Sequence, residues 1–411
     1  MTLRRDALVV RFAWALVLAL AGQGVAGAAS DDSLLVRVKI AEKQQRVSIV
    51  DAVGTTFRLV ADRSDMITVN GKLAGPLWRS RDRAGIAGPF RLATRPGGEK
   101  FELRGHLEVH RSPAGLLVIN EVSLENYVVG TLGGEMYASW EPAALQAQAV
   151  ACRSYALYQI AAQQGGRFDL GADVLSQRYL GIRGESDAAG TAVRATTGVI
   201  IGYDGRPALA AFHSASGGRT ASASEVWGTS IPYLRSLPVA NEDNSPDTHW
   251  RATISGKTLG RALAQLGHEI GSIEDAVVVK RSPSGRVGKL RFRGTHGRAT
   301  VTGRELRQLL GGTTIKSTRF EVRWDKGEMI FAGSGSGHGV GMSQWAAQAM
   351  AEEGADYREI LGTFYPGTSL LTVEEQGRRF AILPVGAQSR VEQETIMHDD
   401  THDEKKGDRP R

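Results

Sequence analysis

Three stretches of the chain carry residues whose types and spacing could do chemistry. The first is Asn126 to Leu157, NYVVGTLGGEMYASWEPAALQAQAVACRSYAL, in which a lone acid, Glu135, follows a Gly-Gly pair. A protonated carboxyl beside a glycosidic oxygen can act as general acid, and burial favours that form near neutral pH. The same acid could equally serve only the dipole of the helix that follows. Most glycosidases use two carboxylates; Glu121, Glu125, Glu141 and Asp173 are conceivable partners, and spacing picks out none of them.

The second stretch is His213-Ser214-Ala215-Ser216-Gly217-Gly218-Arg219-Thr220. A turn rich in hydroxyls and glycine exposes backbone N–H groups and can hold sugar hydroxyls, though a plain polar loop reads the same way. A serine nucleophile would need the G-x-S-x-G elbow, which is absent. The third runs from Gly333 to Gln344, GSGSGHGVGMSQ, and holds His338 among close glycines, with Ser343 and Gln344 at a helix start. It is neither G-x-x-x-x-G-K-[ST] nor G-x-G-x-x-G, so it is not a phosphate loop. What remains is a backbone that a ligand can approach closely.

The elements that must position these residues follow from pattern. Pro142 suits the first turn of a helix, with Ser139 and Glu141 at its capping positions. Leu145, Ala149, Cys152, Ala156 and Ile160 form an apolar stripe, and most of the remaining surface is apolar too, which predicts a buried helix. Glu135 then falls in a tight turn at the mouth of that helix. Ahead of it, residues 31–120 alternate apolar with polar and read as strands, with a hairpin at Asn70-Gly71. FELRGHLEVH and GLLVINEV read as two further strands around Ser112-Pro113. A short helix is predicted from Ser186 to Thr197, a hairpin at Asp204-Gly205, and a loop over the small polar run that ends at Trp227. From His249 to Trp324 the pattern changes, with helices at Thr258–Leu266 and Gly303–Leu310 and strands joined at Ser284-Gly285. This piece reads as an inserted subdomain. A last helix is predicted at Tyr357–Leu361.

Composition bounds the rest. The chain has 411 residues, is 42% hydrophobic and 23% charged, and carries a net charge of +6; these are the proportions of a globular protein. The basic surplus is spread out without interleaved aromatics, which argues against nucleic acid. Residues 1–28 read as a signal peptide: Arg4, Arg5 and Arg11, then an apolar run from Phe12 to Ala21, then Ala26-Gly27-Ala28. An uncleaved anchor is the alternative, and either places the body outside the cytoplasm. No later stretch is long and apolar enough to span a membrane. A single cysteine, Cys152, excludes an internal disulfide and a Cys-based zinc site. A zinc trio of His213, His249 and His338 has no support in spacing. Residues 387–411 are charged and without aromatics, a composition that predicts disorder.

The three stretches, in this order, resemble the SpoIID/LytB family of bacterial cell-wall proteins. The matching text is NYVVGTLGGEMYASWEPAALQAQAVACRSYAL, then AFHSASGGRTASASEVWG with IPYLRS, then GSGHGVGMSQWAAQAMAEEG with ILGTFYPGT, over roughly Val118 to Leu371. The resemblance implies an α+β fold: a mixed α/β SpoIID-type catalytic domain over 106–386, a β-rich N-terminal region over 29–105, and the insertion at 249–324. It also implies a lytic transglycosylase that cleaves peptide-stripped peptidoglycan strands between N-acetylmuramic acid and N-acetylglucosamine. The family's catalytic acid falls on Glu135. Substrate-binding positions fall on His213, Ser214, Ser216, Arg219, His338, Ser343, Gln344 and Tyr365. The chemistry it implies uses no cofactor. Where sporulation members carry a Cys/His-rich piece that can bind zinc, this chain reads Asp173-Val-Leu-Ser-Gln177-Arg-Tyr179, so no metal is expected. The proline that usually follows the catalytic Glu-Met is Tyr137. The family also holds LytB, an amidase enhancer, so a wall-binding protein that recruits a cell-wall amidase is the alternative. A sporulation role does not follow from the resemblance.

Overall fold

The alternating strands of the N-terminal region fold into two sheets. The computed structural model describes residues 34–81, 88–94, 100–163, 165–173 and 176–373. The expected signal peptide and the charged tail lie outside the described residues. Strand Leu35–Gln44 pairs antiparallel with Gly115–Ser123, Val36 opposite Val122 and Val38 opposite Asn120. His106–Ser112 and Leu77–Arg79 continue that sheet on one side, and Leu170–Gly171 closes the other. The second sheet has six strands, with Arg46–Val50 between Thr56–Ala61 and Phe90–Ala93. The inward residues of both sheets, among them Val38, Ile49, Leu92 and Val109, belong to one apolar core.

One predicted strand is two. FELRGHLEVH breaks at Gly105, where φ is +73° and a Cβ would lie 2.2 Å from the Glu121 carbonyl oxygen. Only glycine fits that bend. Lys100–Leu103 therefore joins the six-stranded sheet and His106–Ser112 the five-stranded one.

The first helix departs further from expectation. Residues Leu124–Glu135 form one continuous helix, α1, so Glu135 ends a helix rather than lying in a tight turn. Gly130, Gly133 and Gly134 fall at i, i+3 and i+4, so together they make one helix face. That face is a packing surface. A Cβ at Gly133 would lie 2.1 Å from the Gly184 carbonyl oxygen, and one at Gly134 would lie 2.2 Å from that of Arg178. Helix α2 (Pro142–Ala162) starts with proline as expected, but Glu141 makes no side-chain cap. Its backbone N–H instead donates to Gln348 Oε1 at 2.9 Å. Buried along most of its length, α2 packs against α1, α3 (Asp187–Ala195) and two C-terminal helices.

After α3, strand Val199–Tyr203 turns at Asp204-Gly205, where both φ values are positive, and also pairs with Ser369–Thr372 near the far end of the chain. A short helix, α4 (Ala223–Trp227), lies within the run expected to be loop; Ser222 and Glu225 close a capping box around it. A second core, from Trp250 to Phe331, holds Leu263, Leu290, Phe292, Leu306 and Phe320. It comprises α5 (Gly256–Ala264), α6 (Gly303–Leu310) and two three-stranded sheets. It extends past Trp324 because Glu328–Gly333 is the central strand between Trp250–Ser255 and Phe320–Asp325. The chain then forms the glycine loop, α7 (Gln344–Glu352) and α8 (Tyr357–Phe364). No described helix is long and apolar enough to cross a membrane.

Candidate functional site

Glu135 is the last residue of α1 and is 4% exposed. Its Oε1 accepts the Arg178 backbone N–H at 2.7 Å. The glycine face of α1 makes this possible, since any side chain there would hold residues 178–184 away. That segment is fastened by its own polar groups. Tyr127 Oη donates to Gln177 Oε1 at 2.9 Å, and Tyr179 Oη donates to Asn120 Oδ1 at 2.8 Å. The rings of Tyr127 and Tyr179 stack at 5.3 Å. On the opposite side, Gln344 Nε2 donates to the Glu135 carbonyl at 3.2 Å and to Gln148 Oε1 at 3.4 Å. Burial, helped by the field of Glu135, holds the neighbouring Cys152 thiol above its ordinary range.

Two of the acids considered as partners are already paired. Glu125 makes a two-pronged contact with Arg153 at 2.8 and 2.7 Å, and Glu121 meets Arg81 at 2.6 Å. The residues next in the chain to Glu135 and to Gln344 include an aromatic cluster. Trp140 and Trp345 meet edge-on at 4.8 Å, and Tyr137 stands 5.6 Å from Trp140 and 6.3 Å from Trp345. Tyr137 and Trp345 keep part of their surface exposed. Such rings present an apolar face with polar tips, the kind of surface on which a pyranose can rest. Their signal was in the sequence, two and five residues after Glu135 and directly after Gln344.

The second and third stretches meet each other. Phe212–His213 runs parallel to Met342–Ser343 as a two-residue ribbon. His213 Nδ1 donates to the Val340 carbonyl at 3.1 Å, which fixes its tautomer. His338 Nδ1 accepts the Val340 N–H at 3.0 Å. The two rings lie 5.7 Å apart, with Trp227 at 5.5 Å from His338. Burial, and then Arg286, pushes the His213 imidazole down to about 3; burial and His213 hold His338 well below its usual range. Both are therefore neutral at pH 7.

Two hydroxyls expected to bind substrate are bound inside the protein. Ser216 Oγ donates to Glu242 Oε2 at 2.7 Å, and Ser343 Oγ donates to Glu242 Oε1. The N–H groups of Ser216 and Gly218 reach the same carboxylate at 2.6 and 3.0 Å. Glu242 thus rivets the Ser/Gly loop to the start of α7. Sequence reasoning missed it, because Asn241-Glu242-Asp243 reads as an ordinary polar loop. Tyr365 lies in the core beneath the ribbon, its hydroxyl donating to the Ala211 carbonyl at 2.7 Å. Ser214 takes part through its backbone, its carbonyl accepting the Trp345 N–H at 3.1 Å. Arg219 is half-buried at the loop's end.

Arg286 was also missed, since Ser-Pro-Ser-Gly-Arg reads only as a hairpin turn. It sits at the turn just before Val287–Gly294, a strand of the second core, is 3% exposed, and donates through Nη2 to the Ser216 carbonyl at 3.0 Å. A Cβ on Gly339 would lie 2.0 Å from that nitrogen, so glycine is what admits the guanidinium. Its Nε and Nη1 are buried without a hydrogen-bond partner among the described residues. Burial, then Arg319, pushes its pKa down to about 10. No cluster of three or more His, Cys, Asp or Glu is placed to hold a metal among the described residues.

Three consecutive residues therefore join the two halves. Ser343 reaches Glu242, Gln344 reaches Glu135, and Trp345 completes the aromatic trio. Comparison with known proteins finds a family and relatives for the chain. Residues 112–203 match the family described as Stage II sporulation protein. Stage II sporulation protein D of Bacillus subtilis is 31% identical over 270 residues, covering 61% of this chain and 75% of that protein. The chain belongs to the SpoIID family. An uncharacterised protein of Brachyspira hyodysenteriae is 31% identical over 266 residues, covering 64% of this chain and 71% of its own length. An amidase enhancer of Bacillus subtilis is 28% identical over 290 residues, but this covers only 40% of the enhancer. In this SpoIID-family chain, residues 233–341 match a domain of unknown function (DUF8618), which includes Glu242, Arg286 and His338.

Proposed function

We propose that the protein is an exported peptidoglycan lytic transglycosylase, acting on peptide-stripped glycan with Glu135 as its acid and base. The observation that carries this reading is the framing of Glu135. Glu135 is buried, its carboxyl held by the Arg178 N–H and its main-chain carbonyl by the Gln344 amide, and the aromatic cluster of Tyr137, Trp140 and Trp345 is built from residues next in the chain to Glu135 and Gln344. Glu135 gives its proton to the glycosidic oxygen as the bond from C1 of N-acetylmuramic acid breaks. The O6 hydroxyl of the same sugar attacks C1 and returns its proton to Glu135. The products are a 1,6-anhydro end and a free N-acetylglucosamine hydroxyl. No water is consumed, the acid is regenerated, and no second carboxylate is needed.

The test is a digest of intact and amidase-treated peptidoglycan by the purified protein and by Glu135→Gln, with products read by mass spectrometry. Anhydro-ended fragments from treated wall with wild type alone are the expected result. The second reading is a wall-binding protein that enhances an N-acetylmuramoyl-L-alanine amidase, favoured by the likeness to the Bacillus subtilis amidase enhancer. It predicts that both proteins pull down with the wall and that neither releases fragments.

A further inference from the structure

The inserted subdomain presents a sheet that is covered on one side only. Leu290 and Phe292 of Val287–Gly294 face the second core, while Lys289, Arg291 and Arg293 alternate with them and are exposed. Register places Lys280 opposite Lys289, and Arg298 of the next strand opposite Arg293. All five side chains are exposed. Like charges placed directly opposite destabilise a sheet. Solubility alone is served as well by mixed signs. Acid relief is confined to one end, where Glu274 meets Arg293 at 2.6 Å and Asp275 lies opposite it. Lys280, Lys289, Arg291 and Arg298 have no ion-pair partner among the described residues.

The row also has a position and a direction. It begins three residues after Arg286, which touches Ser216, and two more contacts anchor that turn. Ser284 N–H and Oγ both donate to Glu225 Oε2, at 3.1 and 2.5 Å. From there the strand runs away from the glycine loop. Alternate residues rise about 6.8 Å, so Lys289 to Arg293 covers about 14 Å. The face is thus a line of positive charge leading outward from the site.

We propose that this face is an exosite that holds the glycan strand beyond the cleavage point through its lactyl carboxylates. The proposal rests on the reading of the substrate as peptide-stripped glycan. Stripping is what gives each muramic acid a free carboxylate, so the strand is itself a polyanion. A charge row of this kind raises the local concentration of a polyanion and loses its effect as salt rises.

The experiment compares wild type with Lys289→Glu/Arg291→Glu, two exposed positions outside the cleavage site. Co-sedimentation with amidase-treated peptidoglycan is measured at low salt and at ~1 M salt, where the Debye length is about 3 Å. Parallel arms use the same wall with its carboxylates amidated, and anionic phospholipid vesicles. The expected result is about tenfold weaker binding of the variant to stripped wall at low salt. That difference should vanish at high salt and on amidated wall, and cleavage of the shortest strands should be unchanged. Equal binding of the two proteins to stripped wall overturns the proposal, as does a charge effect seen on vesicles alone. If the wild type cleaves nothing yet binds stripped wall in this charge-dependent way, the enzymatic reading fails and the exosite stands.

Discussion

Two buried glutamates stand on either side of the Ser343-Gln344-Trp345 seam, and they are held in opposite ways. Glu242 is encircled by donors: two backbone N–H groups and two hydroxyls, all from loops it ties together. Glu135 sits at the carbonyl end of α1, the pole of a helix that favours cations rather than anions. Two residues further along the chain is Tyr137, a ring that keeps part of its surface exposed. Glu242 is 7% exposed and Glu135 is 4% exposed, so burial does not separate them. Their place in the fold does. A carboxylate encircled by donors from the loops it joins is a fastener, whereas the acid at the helix pole that disfavours an anion is the one we propose for the chemistry.

The sharpest way to break this contrast is to neutralise each acid in turn. Glu135→Gln should lower release of anhydro-ended fragments by about 10²–10⁴-fold, the range for a lost general acid, with the urea midpoint unmoved. Retained release would remove Glu135 from the chemistry. Gly134→Ala tests the frame rather than the acid. Its Cβ would collide with the Arg178 carbonyl, so stability should fall by about 1–3 kcal/mol in urea melts, and fragment release should fall with it as the Arg178 N–H moves. Glu242→Gln should cost about 1–3 kcal/mol, because donors are left facing an amide. Fragment release per folded molecule should then change far less than with Glu135→Gln. A larger loss of release than of stability would put Glu242 on the chemical side of the contrast.

Acid should loosen the Glu242 side through its histidines. His213 titrates at about 3 in the folded chain and near 6.5 when unfolded. The unfolded state therefore binds the extra proton between those values. Stability is full above about 6.5 and falls as pH drops toward 3, by up to about 1.4 kcal/mol per pH unit for each such histidine. Urea midpoints from pH 7.5 to 4.5 should show this slope, and His213→Asn should flatten it by about one proton. The smallest effect is expected from Gln344→Ala, about 1 kcal/mol of stability, with release reduced severalfold as the Glu135 end of α1 loosens.

Much of the scaffold was legible because local rules and tertiary packing agreed there. Pro142 at the start of α2, the turns at Asp204-Gly205 and Ser284-Gly285, and α6 at Gly303–Leu310 all follow from turn chemistry and periodicity. The same rules misread α1. Gly130, Gly133 and Gly134 lower helix propensity, and only the chain they pack against, residues 178–184, makes their absence of side chains useful. The grouping of His213, Ser216, His338 and Ser343 was legible as motifs. Their division of labour was not, because Glu242 and Arg286 act through backbone and loop contacts that leave no spacing pattern. Ser216 and Ser343 hydroxyls, read as ligands for sugar, turn out to serve Glu242.

The bond from Gln344 to the Glu135 carbonyl spans 209 residues of sequence, and that from Glu141 to Gln348 spans 207. Strand Val199–Tyr203 waits for Ser369–Thr372. The second core, by contrast, is built from Trp250 to Phe331 alone. In a chain that emerges from its N-terminus, Glu135 therefore appears early and is framed late. A chain stopped before residue 344 can still complete its second core, yet it cannot assemble the surroundings of its own acid.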